Sequence, residues 1–120
     1  MNLEQRTEQV AGDGREFLKT TVGLEYKAAG ITLKGSAFTG DVVKGGTAVY
    51  RDTDGLFIPV AAEATAPFAG ACLTAHAVKR SATGNPIVGV IVAASADRTR
   101  CTGVTDAFAE YVRNRINFDL

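Results

Sequence analysis

Few residues of this chain belong to types that do chemistry, and their spacing holds them apart. Cys72, Cys101 and His76 are the nucleophile and base candidates. A cysteine hydrolase needs its thiol and imidazole within hydrogen-bond reach. Cys72 and His76 stand four apart in a stretch read as a strand, so they share a face but lie about 13 Å apart along it. A closed zinc site asks for four Cys or His ligands, and two separated cysteines with a single histidine leave the set short. The thiols are therefore expected to be reduced and partly buried. Asp52-Thr53-Asp54-Gly55 opens like a calcium loop but lacks the third acidic position and the distal glutamate, so it reads as an ordinary turn. No glycine-rich loop ends in Lys-Ser or Lys-Thr, and Gly12-Asp13-Gly14 follows no strand, which leaves a nucleotide site without a basis. No catalytic residue, cofactor or metal ligand is predicted.

Charge excludes further classes. The 120 residues carry 13 basic and 13 acidic side chains, a formal net charge of zero, which gives no argument for nucleic acid. The basic pairs Lys79 with Arg80, Arg98 with Arg100 and Arg113 with Arg115 read as solvated loops and helix ends, or as interface salt bridges. The N-terminus lacks the apolar core of a signal peptide and no run approaches a membrane span, so a protein made and kept in the cytosol, or in a particle assembled there, is expected. Thirteen glycines, three prolines and no tryptophan suit a turn-rich β-fold. The alanines at 61, 62, 64, 66, 69 and 71 pack thinly, and a core that thin calls for a partner surface, hence an oligomer or an assembly component.

The elements follow from periodicity. Residues 1–20 mix Glu, Gln, Arg, Gly and Asp around isolated Leu3, Val10, Phe17 and Leu18 and read as an extended N-terminal arm. Residues 21–120 form one β-rich domain. Val22, Leu24, Tyr26 and Ala28 alternate with polar or small residues and predict a strand with one apolar face. Residues 31–34 resume the alternation after Gly30. Residues 47–51 and 56–60 predict a hairpin across Asp54-Gly55, with Pro59 marking an edge. A loop is expected over 61–68, a strand over 70–79, a turn at Gly84-Asn85-Pro86, and a central strand, covered on both faces, over the apolar run 87–92. Phe108, Tyr111, Val112 and Arg115 recur at helical spacing behind the capping candidates Thr105 and Asp106, and Ile116, Phe118 and Leu120 alternate in a last strand.

Three stretches resemble the head decoration proteins of tailed phages, the capsid-stabilising lambda-type and head-fibre group. The first is Val43-Lys44-Gly45-Gly46-Thr47-Ala48-Val49 with Asp54-Gly55-Leu56-Phe57-Ile58-Pro59-Val60. The second is Phe68-Ala69-Gly70-Ala71-Cys72-Leu73-Thr74-Ala75-His76-Ala77-Val78, where Ala71 and Ala75 are smaller than the family's usual residues. The third runs from Ala96-Asp97-Arg98-Thr99-Arg100 to Phe118, and the likeness covers residues 22–120. Gly40-Asp41-Val42-Val43-Lys44-Gly45-Gly46 also resembles the turn of biotinyl and lipoyl carrier domains, but neither Lys34 nor Lys79 stands at the hairpin tip that such a carrier needs. The decoration resemblance implies a small β-barrel or β-tulip-like domain with one short C-terminal helix. It also implies a homotrimer on the outside of an expanded capsid that clamps neighbouring major capsid proteins, without enzymatic activity, nucleic acid or membrane. Phe17, Leu18, Val22 and Leu24 are the implied contacts with the shell. A β-module at the base of a head fibre or adhesive appendage is the alternative.

Overall fold

The computed structural model describes residues 17–80 and 83–118. Ten strands are described: β1 (Leu18–Tyr26), β2 (Ile31–Thr32), β3 (Val42–Val43), β4 (Ala48–Arg51), β5 (Phe57–Pro59), β6 (Cys72–Thr74), β7 (Val78–Lys79), β8 (Ile87–Val88), β9 (Val90–Ala96) and β10 (Ile116–Asn117). One α-helix among the described residues, α1 (Asp106–Tyr111), precedes β10. The main sheet runs β1-β9-β6-β4-β5, with β10 parallel to β9, while β2 pairs β8 and β3 pairs β7 in two small ribbons. The order is open from β1 to β5, so the mainly β architecture matches the expectation without a closed barrel.

The sheet is covered on both faces, and its alternation shows why. Ala48 lies opposite Leu73, and Leu73 opposite Ile91; all three belong to one core cluster, with Phe17, Phe68, Phe108, Val112 and Ile116. One step along each strand, Val49, Cys72 and Val90 face the other way into a second cluster with Ile31, Leu33, Phe38, Val43, Phe57 and Val88. Successive side chains of a strand point to opposite faces, so one short run feeds two cores. The first is closed by α1, which seats Phe108 on Phe68 with ring centroids 5.9 Å apart; Tyr50 and Tyr111 meet the same ring edge-on at 5.2 and 5.7 Å. The helix starts where Thr105 Oγ1 accepts the Phe108 N–H at 3.1 Å. The second core is closed by the ribbons.

The hairpin β4–β5 is as predicted, with Val49 opposite Pro59 and Arg51 opposite Phe57. Its turn uses Gly55 at φ +88°, and Lys34 lies over it at 3.1 Å from Asp54 and 3.8 Å from Asp52. Pro59 sits on the last strand of the sheet order, where its missing N–H breaks no ladder. The 61–68 stretch is a loop, as expected.

Two expected strands are each broken in two. The 70–79 stretch divides into β6, in the main sheet, and β7, in a ribbon. The apolar run 87–92 divides at Gly89 into β8, paired with β2, and β9, which pairs with β1, β6 and β10 in the main sheet. Continuous apolarity carried no sign of the change of sheet, and Ile87 is consequently 69% exposed rather than covered. The arm boundary also moves. Phe17 is buried and Leu18 opens β1, so residues 17–20 belong to the folded body. Residues 1–16, where the rest of the expected arm falls, lie outside the described residues, as does Leu120.

Candidate functional surface

The chemistry-bearing side chains are all accounted for structurally. Cys72 is buried in the second core, and desolvation pushes its thiol up to about 12 against a smaller opposing effect of Arg115 and Lys27. Cys101 is likewise pushed to about 12 by burial, with Asp97 adding to the shift. Burial thus favours the protonated form of both thiols. His76 stands in the break between β6 and β7, its Nδ1 3.0 Å from the Ala77 carbonyl and its Nε2 facing the Gly89 N–H at 3.4 Å. No cluster of three metal-ligating side chains occurs among the described residues. No described helix is long and apolar enough to cross a membrane.

Arginines act as staples. Arg115 reaches the carbonyls of Ala71 and Val92 at 3.3 and 3.1 Å, and Arg80 holds the Gly35 carbonyl at 3.1 Å and that of Gly40. Arg98 bonds Asp106 and Arg113 bonds Glu110 beside α1. These four arginines are thus helix-end and loop contacts.

Exposed apolar side chains are a second feature of the surface. On β1 the register passes from Thr20 opposite Ser95 to Glu25 opposite Ala93, five residues against two, so the intervening segment bulges off the sheet. Gly23 turns it at φ +79°, and Thr20 Oγ1 accepts the Val22 N–H at 3.2 Å. The bulge cancels the alternation read from the sequence. Val22 is lifted to 80% exposure and a side chain at Gly23 would meet nothing within 4 Å, whereas Leu24 is half-buried against the first core.

The four residues expected to touch a shell therefore part company. Phe17 is 1% exposed, with its ring against Gly46, and Leu18 is half-buried. Val22 alone is fully presented, with Tyr26 half-exposed further along the strand. Sequence reading overlooked Ile87, whose place at the head of an apolar run hid it. It also overlooked Val42, 49% exposed, which lines an apolar groove of about 420 Å³ with Phe38, Val43, Thr47, Pro59 and Thr102. Under this groove Thr47 and Thr74 both donate to the Lys44 carbonyl, at 2.6 and 2.8 Å, and Thr74 Oγ1 accepts the Thr47 N–H at 3.0 Å. That closed network fixes the groove floor. No family model, curated protein or solved structure matches this chain.

Proposed function

We propose that this chain is a structural virion protein that binds the outer surface of a tailed-phage head and stabilises its expanded state. The observation that carries the reading is the bulged edge strand β1, which presents Val22 directly after the N-terminal segment. Support also comes from the mainly β body with a C-terminal helix, and from the exposed apolar side chains Val22, Val42 and Ile87. The partners are the major capsid protein and further copies of the chain, arranged as a homotrimer, and the location is the capsid exterior after assembly in the host cytoplasm. The action is mechanical. Each copy buries a modest apolar area across a joint between capsid subunits, and the lattice sums the copies.

The test mixes purified protein with expanded, undecorated heads built from the major capsid protein encoded in the same genome, followed by sedimentation and thermal melting. Saturable co-sedimentation at a symmetry-related copy number with a raised melting temperature is the expected result. Val22→Asp, and separately deletion of residues 2–16, should each weaken it; the deletion stops short of Phe17 because that ring belongs to the core. Protein that stays folded in the supernatant overturns the reading.

A further inference from the structure

The bulge on β1 and the groove beside β3 have complementary chemistry. Val22 is 80% exposed, and a side chain at Gly23 beside it would meet nothing within 4 Å, so an aliphatic knob stands clear of the body. Three residues on, the exposed Glu25 lies opposite Ala93, where the ladder with β9 resumes. The groove, of about 420 Å³, takes its apolar lining from Phe38, Val42, Val43 and Pro59, and Lys44 is its one charged lining residue. Neither Glu25 nor Lys44 makes an ion pair among the described residues. An apolar concavity with one unpaired cation suits an aliphatic side chain accompanied by a carboxylate, and Val22 with Glu25 is that combination.

The two features belong to different parts of the fold. β1 stands first in the order of the main sheet, whereas Pro59 lies on β5, the last. Leu24 leans on the first core, while Phe38 and Val43 are members of the second. At 80% exposure, Val22 is not seated in the groove of its own chain. We propose that the bulge of one copy docks in the groove of the next, with Val22 against Val42 and Val43 and the Glu25 carboxylate toward the Lys44 ammonium. Each copy then gives a bulge and receives one on separate surfaces, so the contact is head-to-tail and closes into a ring where the rotation between copies allows. This inference concerns the free protein and stands apart from the capsid reading; a bulge seated in a neighbour has to leave it before it can meet a shell.

Disulfide trapping between two separately purified full-length chains tests it. One chain carries Val22→Cys, which keeps a small apolar side chain on the knob, and the other carries Thr39→Cys on the groove lining. Both are made in a Cys101→Ser background, one with a mass tag, then mixed in equal amounts, oxidised mildly and resolved without reductant. The expected result is a mixed covalent dimer that forms at least tenfold faster than one between Val22→Cys and Glu63→Cys. Glu25→Lys in the first chain should slow trapping, and combining it with Lys44→Glu in the second should restore the rate. Equal rates for the Thr39→Cys and Glu63→Cys partners overturn the proposal. Faster linkage of two Val22→Cys chains to each other also overturns it, and assigns the bulge to a symmetric contact with a second bulge instead.

Discussion

Replacing Phe17 with alanine separates two roles that the sequence left together, contact with a shell and support of the core. Phe17 is 1% exposed and sits in the cluster with Ala48, Leu73, Ile91 and Phe108. Removing a buried aromatic ring costs about 3–5 kcal/mol, with the higher values where the site cannot collapse. Here one wall is the backbone of Gly46, pinned by its N–H to the Thr74 carbonyl at 2.8 Å and by its own carbonyl to the Thr102 N–H at 3.1 Å. That wall cannot move in, so the upper part of the range applies. Against a total of about 5–15 kcal/mol for a small domain, the variant keeps a fraction of its stability. Even the lower bound lowers the melting temperature by about 12 °C, at about 4 °C per kcal/mol. Urea denaturation followed by circular dichroism reads the change as a lower midpoint at constant slope. Val22→Ala, on the exposed bulge, should stay within about 0.5 kcal/mol of the parent. A Phe17→Ala midpoint equal to that of Val22→Ala refutes the reasoning and returns Phe17 to the arm.

Two further outcomes follow from the same packing. A Cβ at Gly46 would lie 2.7 Å from Phe17 Cγ with the backbone at φ +82°, so Gly46→Ala should cost about 1–3 kcal/mol from overpacking and about 1–2 more from the backbone. In the double variant with Phe17→Ala the methyl enters the vacated space, and the loss should fall short of the sum by more than about 0.5 kcal/mol; strict additivity would show that the two do not touch. The Cys72 thiol is raised to about 12, above the ordinary value of 9.0 that it regains on unfolding. Its contribution to stability is therefore fully present below about pH 9 and is lost as pH rises toward 12. Urea midpoints at pH 8 and pH 10.5 should drop more for the parent than for Cys72→Ala, and an equal drop counts against a thiol kept neutral by burial.

The parts of the fold legible in the sequence are those in which one local signal settles one local structure. Asp54-Gly55 between two strand-forming runs gave the β4–β5 hairpin, and Thr105 ahead of Phe108 gave the start of α1, because turn and cap chemistry act within four residues. The misread parts are decided at a distance. Gly89 interrupts the apolar run 87–92, but with both sides equally apolar it does not tell that Val88 pairs with Ile31 while Ile91 pairs with Leu73. The bulge on β1 did leave a trace, a glycine inside a strand pattern, which marks such irregularities. Phe17 left none beyond its adjacency to Leu18, and its burial depends on Gly46, twenty-nine positions away in sequence. The groove was hidden for the same reason, since its walls come from three separate segments.

Both faces of the main sheet are spent on the two cores, which confines recognition to edges, loops and the segment before Phe17. With no net charge to steer a partner over long range, the exposed apolar side chains are the natural source of affinity for the proposed reading. Fully burying one valine contributes about 1.5–3 kcal/mol, one to two decades in affinity at about 1.4 kcal/mol per decade. Val22 alone therefore cannot hold a copy on a surface at micromolar protein, where about 8 kcal/mol is needed. On the proposed reading the remainder would come from further contacts, for which the segment before Phe17 and additional copies are the candidates. This sets the scale for the binding test above: Val22→Asp should loosen co-sedimentation by a decade or more while leaving some binding at higher concentration. Deleting residues 2–16 should do greater damage, and the reverse order would place the main anchor on β1 instead.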